Sequence, residues 1–171
     1  MLRPSPPLAP HERSLAAYVR HRLGDEQRML PLLRENFVRA FTAETFAGFW
    51  RAWNPVYGYV LRRWVYRPLA RLFPKGASVV LTFAFSGFAF HDVLAWPAAV
   101  LRSGRVRLPA TTTWFVLVAL VVLLSESSAL RRRLHLGALP PSARVVAHAA
   151  LLAVTHVAGS WLATFVLLRF R

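Results

Sequence analysis

The longest unbroken apolar run of the chain lies within residues 110–130, which read ATTTWFVLVALVVLLSESSAL. Its centre, from Trp114 to Leu124, contains no charged residue and no hydroxyl group. A helix needs about 20 mostly apolar residues to cross a hydrocarbon core roughly 30 Å thick. The centre of the run has no polar stripe, so an amphipathic surface helix is excluded. The run predicts a helix that spans a membrane.

Two further apolar runs of spanning length flank this one, at residues 77–101 and 145–168. Both contain polar side chains, which need a protein partner or water inside a bilayer. These polar residues are Ser78, Thr82, Ser86, His91 and Asp92 in the first run and His148, Thr155, His156, Ser160 and Trp161 in the last. We therefore predict an all-α membrane protein with about three transmembrane helices, preceded by interfacial amphipathic helices.

The composition agrees with a membrane protein and excludes several other classes. Of the 171 residues, 56% are hydrophobic and 17% are charged, whereas soluble domains average about 45–50% apolar and about 25% charged residues. This hydrophobicity excludes an intrinsically disordered chain. The chain has no cysteine, which excludes disulfides, thiolate metal sites, a cysteine nucleophile and S-palmitoylation.

The net charge of +15 arises from 22 basic and 7 acidic residues, and many of the basic residues border the apolar runs. Nine of them lie in the N-terminal flank and the second connector, and five lie on the opposite side. The positive-inside rule then places the N-terminus in the cytoplasm. The first residues, MLRPSPPLAPHER, lack the apolar core of a secretory signal. We expect a multi-pass integral membrane protein whose first span directs insertion.

The N-terminal half divides into a basic helical segment at residues 1–41 and an aromatic, arginine-rich segment at 42–76, ahead of the membrane domain at 77–171. Aromatic residues and arginines interleave from residue 46 to 73, which is typical of helices at the headgroup boundary. The same mixture occurs in proteins that bind single-stranded nucleic acid. Because the segment is attached to three apolar runs, we expect no nucleic-acid partner.

Two helix starts are predicted within this segment. Thr42 is interpreted as the N-cap of one helix. Asn54 and Pro55 are interpreted as the N-cap and first residue of a second helix, which would run to about Phe73.

No common catalytic motif occurs, since HExxH, CxxC, GxSxG and phosphate-loop patterns are absent. His91 stands out, because an ionisable side chain near the middle of a spanning run is costly and marks a candidate functional site. Its helical neighbours are small, namely Ala84, Gly87, Ala95 and Ala98. A functional histidine over a shallow groove and a hydrogen-bonded structural histidine both fit this pattern.

Three other ionisable residues in the apolar runs are interpreted more simply. His148 and His156 are eight residues apart on one helical face, where either a pair of metal ligands or packing would fit; packing is favoured. Glu126 is expected to pair with the arginines at 131–133 or to reach the interface. No metal site is predicted.

Two stretches, FWRAWNPVYGYVLRRWVYRPL at 49–69 and TFAFSGFAFHDVL at 82–94, together resemble the membrane-bound O-acyltransferase family. The nearest similarity is to its wax-ester synthase and diacylglycerol or sterol acyltransferase branches. The matching pieces, in order, are Phe49-Trp50, Trp53-Asn54, Tyr66-Arg67-Pro68, Ser86-Gly87 and His91-Asp92. Three residues separate Gly87 from His91, where the family's signature has two, and Asp92 replaces a more common glutamate.

This resemblance implies a membrane-embedded enzyme that transfers an acyl group from acyl-CoA to a lipid-like alcohol. His91 would be the general base that takes the hydroxyl proton. Asn54 would be its polar partner, with an amide that stabilises the developing oxyanion. Members of the family have many more spanning helices, so the chain is interpreted as the C-terminal portion of such an enzyme, either a truncated form or a fragment.

The resemblance also suggests where substrates bind. The expected substrate-binding residues are Trp53, Arg62, Arg63, Arg67 and Asp92. The arginines would bind the phosphates of acyl-CoA, although anchoring to anionic lipid headgroups explains them equally well. Acyl-CoA is expected as a co-substrate, with no bound cofactor.

The expected partners are membrane lipids, acyl-CoA and an alcohol acceptor. Further membrane subunits and a second copy of the chain in a homo-oligomer are both compatible with the sequence. The alternative to an enzyme is a non-catalytic membrane protein, either a degenerate acyltransferase remnant or a partner subunit.

Overall fold

The computed structural model describes residues 9–10, 13–23, 29–127 and 138–169, and helices dominate this part of the chain. The N-terminal helices are α1 (Leu15–Leu23), α2 (Met29–Phe41), α3 (Phe46–Ala52) and α4, whose α-helical ends (Pro55–Val60 and Arg67–Leu72) flank a π-helical middle (Leu61–Tyr66). The longer helices are α5 (Lys75–Ser103), α6 (Ala110–Glu126) and α7 (Pro141–Ala163). Two short strands, β1 (Arg105–Arg107) and β2 (Val166–Arg169), pair antiparallel.

Helices α5, α6 and α7 correspond to the three apolar runs. Both α5 and α7 are long and apolar enough to cross a membrane, and α6 is a shorter apolar helix of 17 residues. Only 28% of the apolar window of α5 and 17% of that of α7 are buried inside the fold. The core helix of a soluble protein would be mostly buried, so the uncovered apolar surface fits a lipid environment. The predicted all-α membrane architecture is confirmed.

The ends of the long helices differ from the predicted bounds, most clearly in the third run. It was expected to be helical over 145–168, but α7 spans Pro141–Ala163 and is followed by β2. In the strand pair, Arg105 lies opposite Arg169 and Val106 opposite Leu168. Because the connection from α5 to α6 lies at the same end of the bundle, its backbone groups offer partners to the residues after α7. The last residues of the middle run, 128–130, lie outside the described residues.

The residues between 42 and 76 form α3 and α4, as helices were predicted there. Helix α4 lies lengthwise along α5 and runs antiparallel to its first half. A short turn at 73–74 joins the two helices, and at the other end the ring of Tyr57 contacts that of Phe90 with 4.6 Å between centroids. This pairing brings the start of α4 to the level of the residues around Phe90.

The N-cap of α3 is Thr45, not Thr42 as predicted. The Thr45 hydroxyl accepts a hydrogen bond from the Gly48 backbone N–H at 2.9 Å. The Thr42 hydroxyl instead donates to the Val38 carbonyl at 2.6 Å, at the end of α2. The start predicted at Asn54 and Pro55 is confirmed, with Pro55 as the first helical residue.

A buried apolar core forms where α2 and α3 cover α6. Its members are Ala40, Phe46, Ala47, Phe49, Val118 and Val122. Around it, α6 lies between α5 and α7 and is contacted closely by a glycine from each. A Cβ atom on Gly87 would lie 2.7 Å from the Thr112 Cα, and one on Gly159 would lie 2.7 Å from the Trp114 Cα. Only glycine allows helices to approach this closely.

Candidate functional site

His91 lies in a π-helical turn, Phe88–Asp92, within α5. A π turn closes its hydrogen bonds from i to i+5 and so holds one residue more than an α turn. The sequence has one residue more between Gly87 and His91 than the signature it resembles. In an α-helix that residue would rotate the histidine by about 100° relative to Gly87. The π turn takes up this extra residue.

The imidazole of His91 is exposed at the surface of α5 beside α6. Its ring lies 5.7 Å from that of Phe115. Within the described part of the chain, the ring makes no hydrogen bond. Phe115 also contacts Trp50 of α3, at 5.9 Å between centroids. An accessible imidazole is thus bordered by aromatic rings and has its nitrogens available to a ligand.

Asp92, the next residue, is buried with 5% of its surface exposed. Its Oδ2 accepts hydrogen bonds from the Thr112 backbone N–H at 2.6 Å and from the Thr112 hydroxyl at 2.8 Å. Its Oδ1 accepts from the Thr111 backbone N–H at 3.3 Å. Both carboxylate oxygens therefore face the first turn of α6.

Asn54 has a left-handed backbone, with φ 44° and ψ 78°. It is the only non-glycine residue with positive φ in the described ranges. Asparagine tolerates this conformation better than most residues. Its Oδ1 accepts from the Tyr57 backbone N–H at 3.2 Å and caps α4. The side chain is exposed, and among the described residues its Nδ2 has no hydrogen-bond partner.

Asn54 and His91 come to the same level of the paired helices α4 and α5. Tyr57, one turn after Asn54, contacts Phe90, the neighbour of His91. Burial raises the pKa of the Tyr57 hydroxyl above its ordinary value. No direct hydrogen bond joins Asn54 and His91 within the described residues. The contact between the rings of Tyr57 and Phe90 is therefore what connects the two positions.

The other residues expected to bind substrate lie in two places. Trp53 belongs to the aromatic cluster between α2 and α3, where its ring lies 5.2 Å from Phe37. Arg62, Arg63 and Arg67 lie in the middle of α4. Arg63 donates to the Tyr59 hydroxyl at 3.1 Å and to the Arg13 carbonyl at 3.3 Å, which ties the start of α1 to α4. These arginines thus belong to the stretch of α4 that packs along α5, whereas Trp53 packs against α2.

His148 and His156 differ in their surroundings, so they do not form a ligand pair. The His148 ring is fully buried, with Nδ1 2.8 Å from the Arg144 carbonyl and Nε2 3.3 Å from the Thr45 carbonyl. The His156 ring is exposed and lies edge-on to Trp114 at 5.1 Å. No group of three metal-ligand side chains occurs in the described ranges.

A polar cavity of about 560 Å³ opens at the other end of α6, and neither His91 nor Asn54 lines it. At its wall, Arg51 Nη2 lies 2.5 Å from Glu126 Oε1, and Lys75 Nζ lies 3.9 Å from Glu126 Oε2. The expected pairing of Glu126 with the arginines at 131–133 involves residues outside the described part, and within it the partners are Arg51 and Lys75. The cavity is separate from the surface around His91.

Sequence reasoning overlooked Phe115 and the threonines that bind Asp92. A signal for the threonines was present, since Pro109 followed by Ala110 and three threonines marks a helix start. This start of α6 packs against the π turn of α5 that contains His91 and Asp92. Phe115 carried no signal, because an aromatic residue in an apolar run has no special pattern.

The sequence profile described as MBOAT, membrane-bound O-acyltransferase family, matches residues 26–125. The matched region runs from the N-terminal helices through α6, and it includes Asn54, His91 and Asp92. No curated protein and no solved structure gives a match to the chain.

Proposed function

Because the chain belongs to the membrane-bound O-acyltransferase family, we propose that it transfers an acyl group from acyl-CoA to a lipid-like alcohol with His91 as general base. One observation carries this proposal. The imidazole of His91 is exposed in a π turn of a helix long enough to span a membrane. Irregular helical turns of this kind are frequent at functional sites, and an ionisable residue at membrane depth is a functional candidate by default.

The proposed reaction needs one base and one oxyanion donor. A ring nitrogen of neutral His91 takes the proton from the acceptor hydroxyl while its oxygen attacks the thioester carbon. The carbon–sulfur bond then breaks, and the imidazolium returns the proton to the thiolate of coenzyme A. The products are an ester and the free thiol.

Asn54 is the proposed donor to the carbonyl oxygen. Its Oδ1 is used in capping α4, whereas its exposed Nδ2 has no partner among the described residues. The capping hydrogen bond fixes the position of the amide in advance. A donor that is already in place is well suited to an oxyanion, because it does not have to reorganise during the reaction. The Tyr57–Phe90 contact supports this pairing, since it brings the start of α4 to the turn that holds His91.

The acceptor is proposed to be lipid-like, in agreement with the wax-ester synthase and diacylglycerol or sterol acyltransferase branches. Aromatic and apolar groups border His91, including Phe115 at 5.7 Å and the exposed rings of Phe88 and Phe90. An acceptor that reaches this surface through the bilayer would contact these groups with its hydrocarbon part.

The arginines of α4 are proposed to bind the phosphates of acyl-CoA. They are Arg62, Arg63 and Arg67, and Trp53 is also expected to contribute to substrate binding, whereas the Asp92 carboxylate is buried against α6. Arginine suits phosphates because its guanidinium can donate two parallel hydrogen bonds. We propose an N-terminus in the cytoplasm, where acyl-CoA is available, and membrane lipids as partners. Further membrane subunits and a homo-oligomer remain candidates for covering the exposed apolar faces.

The test is ester formation by the purified chain in lipid nanodiscs, with labelled acyl-CoA and a long-chain alcohol. His91→Ala should lower kcat by about 100-fold or more, since general bases contribute about 10²–10⁴. Asn54→Asp should lower kcat by about 10²–10³. Aspartate also caps helices and tolerates the left-handed backbone, so this variant should keep the stability of wild type.

His156→Ala is the matched control, because His156 is also an exposed histidine beside an aromatic residue of α6. It should retain wild-type activity. An active His91→Ala protein contradicts the assignment of the base. A folded, inserted and inactive wild-type chain supports the alternative of a non-catalytic remnant or partner subunit.

A further inference from the structure

The first turn of α6 has no capping side chain of its own. Pro109 occupies the N-cap position and makes no side-chain hydrogen bond. The early N–H groups of a helix have no partner within the helix, and a cap normally serves the second or third of them. In α6 these belong to Thr111 and Thr112, and both donate to Asp92 of α5. Asp92 thus acts as an N-cap supplied by a neighbouring helix.

Close packing at Gly87 also holds this part of α5 against α6. Gly87 lies one turn before the histidine, and a Cβ there would approach the Thr112 Cα to 2.7 Å and the Thr111 carbonyl oxygen to 3.1 Å. The π turn is therefore fixed to α6 at both of its ends, by close packing at Gly87 and by three hydrogen bonds at Asp92. Both attachments restrain rotation of the turn about the helix axis.

His91 lies between these two attachments. Asp92 points into the α5–α6 contact and is buried, whereas the imidazole beside it is exposed against Phe115. No hydrogen bond joins Asp92 to the His91 ring within the described residues, so Asp92 acts on it only through the backbone of the turn.

We propose that Asp92 is a positioning residue that fixes the direction of the His91 imidazole by capping α6. This inference rests on the proposed function, in which His91 is the base. It assigns Asp92 to the contact between helices rather than to the substrate. Correct orientation of a base matters greatly, because a misplacement of about 1 Å can lower a rate about 100-fold.

The first test uses kinetics in nanodiscs. Asp92→Asn leaves one acceptor oxygen where aspartate has two, and kcat should fall about 10- to 100-fold while KM changes by less than about twofold. Thr112→Val removes the hydroxyl bond alone, keeps the side-chain shape and should produce a smaller fall in kcat. Thr113→Val is the control, because the Thr113 hydroxyl donates to Pro109 within its own segment; its kcat should equal that of wild type.

The second test does not depend on activity. Because the chain has no cysteine, a nitroxide attached through His91→Cys reports the mobility of that position alone. Hydrogen bonds to a charged group are strong enough to shift an equilibrium about tenfold or more. Adding Asp92→Asn or Thr112→Val should therefore mobilise the nitroxide, and adding Thr113→Val should not.

The outcomes separate the two proposals. Unchanged nitroxide mobility in inserted Asp92→Asn protein overturns the positioning role, as does a mobile nitroxide with an unchanged kcat. If Asp92→Asn does not insert, the Thr112→Val and Thr113→Val pair decides in the same way. An inactive wild-type chain overturns the proposed function, and the nitroxide then decides alone whether Asp92 holds the turn.

Discussion

Helix α6 contacts α5 on one side and α7 on the other, and the two contacts share several components. Each neighbour places a glycine against the backbone of α6, Gly87 from α5 and Gly159 from α7. Each also carries an exposed histidine beside an aromatic residue of α6. The sequences of the two runs, both apolar with scattered small and polar residues, would not distinguish them.

The difference lies in the backbone and in which ionisable group is buried. On the α5 side the helix is π-helical at the contact, and the buried group is Asp92, which caps α6. Helix α7 is α-helical throughout, and its buried group is His148, which contacts the carbonyl of Thr45 in front of α3. The α7 side therefore holds α3 in place, whereas the α5 side fixes the turn that carries His91. Replacements on the two sides should consequently have different effects.

The largest effect on stability is expected from His148→Ala. It removes a fully buried ring that packs against both Phe46 and Phe49 and leaves the Thr45 carbonyl without this partner. Large-to-small replacements of this kind cost about 2–5 kcal/mol, and each kcal/mol lowers Tm by about 2–4 °C in a chain of this size. Thermal unfolding in detergent would measure the loss. His156→Ala is the control, and an equal Tm for the two variants would show that the two histidines do not differ as described.

A smaller loss of stability, similar on the two sides of α6, is expected from Gly87→Ala and Gly159→Ala. Each added methyl would overlap the backbone of α6, and overpacking typically costs about 1–3 kcal/mol. Only Gly87→Ala should also lower kcat, because it pushes the π turn away from α6. Gly76→Ala is the matched control, since its Cβ would lie 3.8 Å from Leu123 in ordinary contact. A Gly159→Ala protein that loses activity as strongly as Gly87→Ala would remove the distinction between the two sides.

The smallest effect is expected from Thr155→Val on the α7 side. The Thr155 hydroxyl accepts a hydrogen bond from the Trp114 indole N–H at 3.2 Å. Its loss should cost about 1 kcal/mol, the typical net value of such a bond, or about 2–4 °C in Tm, with no change in kcat. Thr164→Val is the control, because the Thr164 hydroxyl donates to the Trp161 carbonyl at the end of α7. A fall in kcat for Thr155→Val would indicate that the α7 side also influences the reaction.

Much of the fold could be predicted from the sequence, because it depends on local patterns. Apolar run length located α5, α6 and α7, and the Asn54-Pro55 pair located the start of α4. The choice between Thr42 and Thr45 as cap could not be made, because both are threonines before a helix and only the backbone geometry separates them. The end of α7 was also missed, since its residues leave the helix to pair with a distant strand.

The candidate site was only partly predictable, for a physical reason. His91 was identified because an ionisable side chain in an apolar run is conspicuous. The partners of Asp92 lie 19 and 20 residues further along the chain, so no local pattern connects them. The π turn depends on the same packing against α6, and the sequence alone showed only one residue more than the family's signature.

The short length of α6 has a consequence for the surrounding lipid. With 17 residues and a rise of 1.5 Å per residue, it is roughly 25 Å long, less than the roughly 30 Å of a hydrocarbon core. A helix shorter than the bilayer is accommodated by local thinning of the lipid. We expect the membrane to be thinnest beside α6, which brings the headgroups and their water nearer to His91. The length of the acyl chains in the surrounding lipid should then change the distance between His91 and the headgroups.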